Sequence, residues 1–542
     1  MADGLLNKAS IILTPTGYKA GTLYNVAPVV EPYEDFDFAR ASVASRVNSS
    51  GLVEMVGRTL GSELITNGDF ATDSDWTKLN ATISGGKGNL DGNGQTSMLW
   101  QDILSNGNSY KAIFTVSDYN GSGSAKIINN NASTIYTITS NGTFTINFTH
   151  SIASGNFIFR ATSGAVFSID NVSVKEVIDT NNIPRISYDS NGDNGHILLE
   201  PTSTNLITYS EDFEDSSWDL DVNAAHITRT PNAAISPSGE NNATKLIGND
   251  TSRDPGGSYI AAITSASAPY TASVFAKKAE YDYLLMSVGT YAGGYWGSFN
   301  LSNGTVDTQP TQANTSASIE SYGNGWYRCS LTTTTASGGE FCLITPSVDG
   351  TLLTDYTSTT NGIYVWGAQL EELSYATSYI PTLTGSTETR ATETATGAGS
   401  AELINSTEGV LYAEIAAFVN SGLTRYLGLN DGSSNNRVVI LNDGTANRIR
   451  AIVSSGGTKY ADLYYSVTDV TDFHKVAVKY KANDFALWID GVERVTETSG
   501  SAPIGLNDLD FELSGSPFYG KCKALAVFNE ALSDSELTQL TT

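Results

Sequence analysis

Short runs in which apolar and polar residues alternate place the strongest constraint on how this chain can fold. Each run is bounded by Gly, Asn or Ser, and the runs follow one another at roughly 8 to 12 residues, as strands of a β-sandwich do. Alternation of period two marks a strand with one buried face. We therefore expect an all-β protein. The clearest runs are YKAIFTVSDY, TFTINFTH, NFIFRATS, YTASVFAKK, YLLMSVG and WYRCSLTTT.

An internal repeat divides the chain further. Residues 64–76 and 206–218 both have the pattern LIT, then DF, then Trp. The segments FSIDNVSVKEV (167–177) and IYVWGAQLEEL (363–373) share their alternation of apolar and polar positions. Two modules that open and close alike predict two sandwiches in tandem.

Length sets the number of modules, because single cores stop growing near about 250 to 300 residues and this chain has 542. A Thr/Ala/Gly-rich stretch is typical of an exposed linker. Hairpins near residues 48–51 and 185–200 each leave too much edge unpaired, so we expect them to pack together with the first module inserted between them. The predicted divisions are 1–60 (N-terminal attachment segment), 61–178 (first sandwich), 179–204 (hairpin connector), 205–383 (second sandwich), 384–400 (linker) and 401–542 (third sandwich).

Charge and composition exclude some classes of partner. The formal net charge is −27, so a nucleic acid backbone would be repelled. No run of eighteen apolar residues and no signal peptide pattern occurs, and we expect neither export by that route nor membrane insertion. Three scattered cysteines suit assembly in a reducing cytoplasm. Cys329 and Cys342 are either two reduced core thiols or partners across a hairpin.

Two resemblances concern the modules before residue 383. ELITNGDF with Trp76 and the closing IDNVSV resemble the carbohydrate-binding jelly rolls appended to xylanases and cellulases. A longer set of ordered motifs across residues 34–382 is similar to a module recurring in structural proteins of phages, especially marine ones. Its segments are FDFARASVASRVNSSGLVE, NIPRIS, HILLEPTSTNLITYSEDF, GWYRCS and IYVWGAQLEELSYATSYIPT.

The last 140 or so residues resemble the concanavalin A or laminin G family through FHKVAVKYKANDFALWIDGV and GKCKALAVFNEALSDSEL. Within the second segment Ser533 and Glu536 have capping-box spacing and predict a short helix. The resemblances together imply tandem jelly-roll β-sandwiches with a C-terminal concanavalin A-like (laminin G-like) sandwich.

The resemblances also imply a function. They suggest a structural protein of a bacteriophage virion, assembled in the host cytoplasm and exposed on the particle surface, that binds host cell-surface glycans. A tail fibre or other appendage is the first expectation, and a head fibre or capsid decoration protein with a purely structural role is the alternative. The N-terminal segment would contact other virion proteins, and a homotrimer is the family-level expectation. We do not expect an enzyme, since no HExxH or GxSxG motif occurs; a polysaccharide depolymerase is the second alternative.

Aromatic side chains beside polar groups are the candidates for glycan contact, because sugar C–H surfaces stack on aromatic faces. Tyr291, Tyr295 and Trp296 lie in the Gly-rich stretch GTYAGGYWGS, and Trp100 with Gln101 forms a second candidate. Core packing is the competing interpretation for each ring. It is the preferred one for Trp76, Trp218, Trp326 and Trp488.

The jelly-roll resemblance implies a structural calcium ion near the meeting point of the first and last strands. Asp170 matches the aspartate of the closing motif, and Asp69 is a plausible neighbour; the alternative is that Asp170 only caps a turn. Asp189, Asn191 and Asp193 have the spacing of a calcium loop. Asn194 replaces the expected Gly there, so we interpret this segment as a polar turn.

Overall fold

The structure is a computed structural model that describes residues 3–27, 34–130, 133–220, 227–248, 258–261, 268–289, 295–334, 341–351, 356, 358–383, 385–420 and 424–542. Strands dominate these residues, and only two short helices occur among them. The strands pair antiparallel and stack as β-sandwiches. The predicted all-β class of tandem antiparallel sandwiches is confirmed. No helix within the described ranges has the length and hydropathy needed to cross a bilayer.

The residues before the first sandwich form a helix and six short strands. Strands β5 and β6 make the hairpin expected near Asn48, whose Oδ1 accepts hydrogen bonds from the backbone N–H groups of Ser50 and Leu52. The elements are α1 (Asp3–Leu6), β1 (Ala9–Leu13), β2 (Tyr18–Lys19), β3 (Thr22–Leu23), β4 (Phe36–Ala39), β5 (Ala44–Val47) and β6 (Val53–Val56).

The first sandwich follows directly, and its strands are β7 (Arg58–Glu63), β8 (Thr77–Leu79), β9 (Ala81–Ser84), β10 (Lys87–Asp91), β11 (Ser97–Asp102), β12 (Ser109–Ser117), β13 (Ser124–Ile128), β14 (Thr134–Thr137), β15 (Gly142–Thr149), β16 (Asn156–Thr162) and β17 (Val166–Asp179). One sheet has the order β15-β12-β17-β10-β9 with β7 beside β17, and the other has β14-β13-β16-β11-β8. Their inner faces enclose Trp76, Phe114 and Phe159.

This sandwich is inserted into the rest of the chain through two adjacent crossing points. The backbone N–H of Thr180 donates to the carbonyl of Gly57 at 2.7 Å. Beside that bond, Arg58 forms an ion pair with Asp179 at 2.8 Å. Three short strands follow the insertion: β18 (Ile186–Ser187), β19 (His196–Leu199) and β20 (Ser203–Asn205).

The second sandwich consists of two six-stranded sheets, β21-β24-β31-β26-β27-β28 and β22-β23-β32-β25-β30-β29. Trp218 belongs to its core. The cysteines Cys329 and Cys342 lie on strands of different sheets, are buried and are free thiols, so they do not pair across a hairpin. The strands are β21 (Asp219–Leu220), β22 (Ile227–Ala234), β23 (Ala243–Gly248), β24 (Ser258–Ala261), β25 (Pro269–Lys278), β26 (Tyr283–Gly289), β27 (Trp296–Asn300), β28 (Thr305–Thr308), β29 (Ser316–Ser321), β30 (Trp326–Thr334), β31 (Phe341–Ser347) and β32 (Gly362–Glu371).

The remaining elements are β33 (Glu388–Arg390), β34 (Thr394–Thr396), β35 (Glu408–Ala416), β36 (Thr424–Asn430), β37 (Arg437–Asp443), β38 (Arg448–Ser455), β39 (Thr458–Ser466), β40 (His474–Lys481), β41 (Phe485–Ile489), β42 (Val492–Glu497), β43 (Asp508–Asp510), β44 (Gly520–Phe528) and α2 (Asp534–Thr541). From β35 onward they form the third sandwich. Its sheets are β18-β19-β44-β35-β40-β41-β42 and β39-β38-β37-β36-β43. The predicted capping box is present, since the backbone N–H of Ser533 donates to Glu536 at 2.8 Å.

Segments distant in sequence complete the third sandwich. Strand β1 pairs with β44 at residues 525–528, and β19 pairs with β44 at residues 520–522. Ile11 and Ile197 are buried in the same core as Val527. The described part of residues 1–60 is thus built into the molecule rather than forming a separate attachment segment, because its apolar side chains fill a core that residues 401–542 leave open.

The predicted linker 384–400 is described from residue 385 onward, and that part is not an exposed linker. Strand β33 pairs with β20, and β34 pairs with β4. Arg390, Glu393, Ala395 and Ala398 are all buried. The linker prediction from the Thr/Ala/Gly-rich composition is wrong, because the small residues of this stretch pack in a core. Its charged residues form ion pairs with buried residues of opposite charge.

Those partners form what we call the junction cluster, defined as Arg40, Arg185, Arg390, Glu200 and Glu393. All five side chains are at most 2% exposed. Arg40 Nη1 lies 2.6 Å from Glu393 Oε1, and Arg185 Nη2 lies 2.8 Å from Glu200 Oε2; Arg185 also pairs with Glu393. Burial alone would raise the pKa of Glu200, but the charges of Arg390 and Arg185 outweigh it and lower that pKa to about 2. The cluster therefore holds together the segments that connect the three sandwiches.

Candidate functional site

Strand β11 of the first sandwich carries Trp100, the aromatic candidate of that module. Leu99 points into the core and is fully buried, whereas the adjacent Trp100 projects from the outer face and is half-buried. This follows from strand alternation, since neighbouring residues face opposite sides of a sheet. Trp100 is therefore not a core residue.

Trp100 belongs to an apolar row that crosses its sheet. It lies opposite Thr77 of β8 and Ile158 of β16, and Ile158 lies opposite Ile128 of β13. Residues directly opposite in antiparallel strands share a face and touch. Ile128 and Ile158 are buried although they point away from the core. Other parts of the chain therefore cover the two isoleucines, and Thr77 and Trp100 are the members of this row that are open to solvent.

A second row, which contains two cations, runs beside the first on the same face, two residues further along each strand. Met98 lies opposite Arg160, which lies opposite Lys126. The buried Nε atom of Arg160 has no hydrogen-bond partner, and Lys126 Nζ donates to Thr134 Oγ1 at 3.3 Å. We call the two rows, Thr77, Met98, Trp100, Lys126, Ile128, Ile158 and Arg160, the tryptophan face. It combines the exposed part of the Trp100 ring with two half-buried cations, Lys126 and Arg160.

Gln101 does not belong to the tryptophan face. Its Nε2 donates to the carbonyl of Thr66 at 2.7 Å, and its Oε1 accepts from the backbone N–H of Thr66 at 3.2 Å. The side chain is buried and fully engaged in fixing the segment that precedes Asp69. The prediction that Gln101 contacts a glycan is therefore wrong on geometry, because its amide groups already have intramolecular partners.

The other aromatic candidates lie on the second sandwich. Tyr291 falls outside the described residues. Trp296 lies opposite Ser287, whose Oγ donates to the carbonyl of Tyr295 at 3.2 Å. Tyr295 and Trp296 are both half-buried, and as consecutive residues of an extended segment they face opposite sides. They do not form a single stacking surface.

The two candidate calcium ligands lie on neighbouring segments. The backbone N–H of Val172 donates to the carbonyl of Gly68 at 2.9 Å, which brings the chain around Asp170 beside that around Asp69. Asp170 Oδ1 accepts from the backbone N–H of Asn171 at 2.7 Å. Among the residues that the structure describes, no group of three or more Asp, Glu, His or Cys side chains has the geometry to hold a metal ion.

The segment from Asp189 forms a polar turn. Asp189 Oδ1 accepts from the backbone N–H groups of Asn191 and Asp193, each at 2.9 Å. Asn194 Nδ2 donates to the other carboxylate oxygen at 2.7 Å.

Arg160 and Lys126 were not found by sequence analysis. Their positions beside Trp100 depend on which strands pair and in what register. Alternation within NFIFRATS places Arg160 on an outer face, but it does not say that Met98 and Trp100 lie next to it. The four tryptophans expected in cores, Trp76, Trp218, Trp326 and Trp488, are all buried.

Comparisons with known proteins return matches to solved structures alone. No protein family model matches the chain, and no curated protein does. The carbohydrate-binding module CBM40 of Ruminococcus gnavus IT-sialidase bound to alpha2,3 sialyllactose is 16% identical, covering 27% of this chain and 94% of that one at a TM-score of 0.24. The CBM22-1–CBM22-2 tandem of Paenibacillus barcinonensis Xyn10C is 10% identical, covering 58% and 98% at a TM-score of 0.20.

Domains LG4-5 of the mouse laminin alpha1 chain are 9% identical, covering 52% of this chain and 90% of that one at a TM-score of 0.17. These similarities concern β-sandwich architecture in parts of the chain. They assign no ligand to it. What the comparisons and the strand topology together identify is an all-β protein of several antiparallel sandwiches, distantly similar to carbohydrate-binding modules and laminin G domains.

Proposed function

We propose that this protein is a non-catalytic glycan-binding protein of a bacteriophage particle, a tail fibre or similar surface appendage that attaches to host-surface saccharides. The observation that carries the glycan-binding half is the tryptophan face. Trp100 projects half-buried from a sheet, beside the half-buried cations Arg160 and Lys126 on the same face.

The chemistry of the face suits a saccharide. Pyranose rings present C–H groups on their flat surfaces and hydroxyl groups on their edges. The ring of Trp100 offers an apolar surface for the first, and Arg160 and Lys126 offer donors for the second. Because one such face binds weakly, repeated copies on a particle would raise the overall affinity through multivalency.

The virion half of the proposal rests on the motifs in residues 34–382 that resemble phage structural modules. Assembly in the host cytoplasm, homotrimerisation and contact with other virion proteins belong to the same proposal. Mass spectrometry of purified particles would test it, together with electron microscopy of particles labelled with an antibody against residues 401–542. Label on the capsid would favour the head fibre or decoration alternative, and absence from the particles would contradict the proposal.

A glycan array with wild type and Trp100→Ala tests the binding half. We expect the variant to lose about tenfold in affinity, equivalent to about 1.4 kcal/mol, because a stacked ring contact is removed. Trp100→Phe should retain part of the binding. Tyr464→Ala is a matched control, since Tyr464 is an exposed aromatic residue of the third sandwich, 54% exposed.

Two outcomes would contradict the proposed function, one for glycan binding and one for the absence of catalysis. If the wild-type protein binds no glycan on the array, the glycan-binding proposal is rejected and a purely structural role remains. If host polysaccharide releases reducing ends on incubation with the protein, the non-catalytic assignment is wrong and a depolymerase is favoured.

Structural calcium at Asp170 and Asp69 is part of the proposal for the first sandwich. The ion would link the closing strand to the segment after β7, where Val172 and Gly68 share a hydrogen bond. Calcium should then raise the melting temperature of wild type but not of Asp170→Asn. An equal response of both proteins would contradict this site.

A further inference from the structure

The two cations of the tryptophan face lie side by side. Arg160 of β16 is directly opposite Lys126 of β13, and side chains in that relation have Cβ atoms about 4.5 to 5.5 Å apart. Both residues are half-buried, so part of each side chain is open to solvent. Like charges directly opposite each other on a sheet are destabilising. An anion held by both side chains would remove that cost.

The residues that the structure describes do not supply such an anion. Arg160 forms no hydrogen bond or ion pair with any of them. Lys126 Nζ donates to Thr134 Oγ1 at 3.3 Å, which is a neutral partner. The other strand residues beside Arg160 on this face are all uncharged, namely Met98, Trp100, Ser124, Ile128, Ile158 and Thr162.

The carboxylate on the same face of β11 is too far away to serve as the counter-charge. Asp102 lies four residues beyond Met98, the residue opposite Arg160, and that spacing corresponds to about 13 Å at the rise of a strand. It is opposite Asn156, on the far side of Trp100 from the two cations. In a chain with 57 acidic and 30 basic residues, this part of the face is therefore locally positive.

The position of Trp100 indicates which kind of anion fits. Trp100 is opposite Ile158, and Arg160 is two residues further along the strand of Ile158. Trp100 and Arg160 are therefore diagonal neighbours, with about 7 to 8 Å between their Cα atoms. A sugar ring stacked on the exposed part of Trp100 would direct a carboxylate at its edge toward Arg160. A guanidinium binds a carboxylate through two parallel hydrogen bonds, and Lys126 adds a second positive charge.

We propose that the tryptophan face binds an acidic saccharide, with a sugar ring on Trp100 and the carboxylate of a uronic or sialic acid unit against Arg160 and Lys126. This assignment rests on the glycan-binding function proposed above and gives that site a ligand class. A neutral saccharide can use the same ring, but it leaves the two cations beside each other without a counter-charge. A neutral unit therefore binds more weakly.

Calorimetric titration of the full-length protein with matched acidic and neutral saccharides tests the ligand class. The pairs are trigalacturonic acid with its methyl ester, which keeps the size and removes the charge, and 3′-sialyllactose with lactose. We expect at least one acidic member to bind about tenfold more tightly than its neutral partner. Arg160→Gln and Lys126→Gln should each reduce that ratio about threefold to tenfold. Both variants should keep the affinity of wild type for the neutral partner.

Lys87→Gln is the matched control. It also removes one positive charge from the first sandwich, but from the other sheet, where Lys87 pairs with Asp118. The acidic preference should persist in this variant. An equal loss of preference in Lys87→Gln would show that net charge, and not the two cations of the tryptophan face, selects the ligand, and would overturn the proposal.

The ligand class is overturned if neither acidic saccharide binds wild type, or if the neutral members bind as tightly as the acidic ones. Binding of neutral saccharides that is lost in Trp100→Ala would leave the proposed function standing in that case. The assignment to the two cations is overturned if Arg160→Gln and Lys126→Gln, both folded by circular dichroism, keep the acidic preference of wild type. Loss of array binding in every glycan class would reject the proposed function itself.

Discussion

Arg185 is a fully buried cation held between two carboxylates, Glu200 and Glu393. Its other contacts include the carbonyl of Ser45 at 2.8 Å and Ser378 Oγ at 2.7 Å. Burying such a group is costly, and attraction to its partners recovers the cost only when all its hydrogen bonds are made. The residue therefore contributes mainly to a unique arrangement of the segments that meet at the junction cluster.

Replacing Arg185 with Met should destabilise the protein strongly, by about 3 to 5 kcal/mol, because two buried carboxylates lose their shared cation. Urea denaturation followed by tryptophan fluorescence measures the change. The control is Arg58→Met, which breaks the half-exposed pair with Asp179 and should cost less than about 1 kcal/mol. Equal effects of the two substitutions would show that burial of the pair does not matter.

Glu211 should make stability depend on pH near neutrality. Its pKa is raised from 4.5 to about 7 by burial, so the folded state favours the protonated carboxyl. The resulting stabilisation is complete below about pH 4.5 and is lost as pH rises through about 7. Its size is on the order of 1 to 3 kcal/mol. Denaturation curves between pH 5 and 8 should show this loss in wild type and a flatter profile in Glu211→Gln, and parallel profiles would refute the assignment.

Single residues differ in how far their roles could be predicted from sequence. For Trp100, strand alternation and the aromatic side chain together identify a candidate contact residue on an outer face. Gln101 was assigned wrongly, because its partner Thr66 lies in a segment whose position depends on the folded sandwich. Arg390 and Glu393 lie in a low-complexity stretch, and nothing in that composition predicts that each forms a buried ion pair with another segment.

At the scale of secondary structure elements, strand β1 belongs to the third sandwich, although most strands of that sandwich lie hundreds of residues later in the sequence. It pairs with β44, and Ile11 is fully buried in the third core. Strand alternation and turn residues predict that such a run is extended. They do not identify its partner, because pairing is decided by which edge remains open when the rest has folded.

Ile11→Asp should disrupt the third sandwich, because a carboxylate without a partner would enter an apolar core. We expect faster amide hydrogen exchange at those residues of 525–528 whose N–H groups face β1, because the other edge of β44 stays paired with β35. Thr16→Asp is the control, since Thr16 is exposed and should leave exchange unchanged. Unaltered exchange in Ile11→Asp would mean that β1 is dispensable for this edge.

At the scale of the whole molecule, the first sandwich is an insertion and the second is anchored. The first has its own core and enters and leaves through Gly57 and Thr180. The second packs its outer face on the β5–β6 hairpin through Val53, Phe275 and Trp366. The repeat predicted two tandem modules, and the hairpins near residues 48–51 and 185–200 predicted that the first is inserted between them. The packing of the second on Val53 was not predicted.

Removing residues 58–179 and joining the ends through an Asn-Gly turn should leave the other two sandwiches folded. The ends are already hydrogen-bonded neighbours, and an Asn-Gly pair closes a tight turn. Calorimetry should show one lost unfolding transition and little change in the others. Removing residues 206–383 instead should expose the apolar surface around Val53 and lower the remaining melting temperature. A collapse of the whole protein in the first deletion would contradict the insertion.

Closure of the last sheet by β1 has a consequence for synthesis on the ribosome. Residues 9–13 are synthesised before strands β2 to β43, and their partner β44 only after them, a delay on the order of a minute at ordinary elongation rates. Until then a short apolar strand has an unsatisfied edge, which favours recognition by chaperones or proteases. A prematurely terminated chain would keep that edge exposed, so proteolysis could remove incomplete copies before they compete with finished ones.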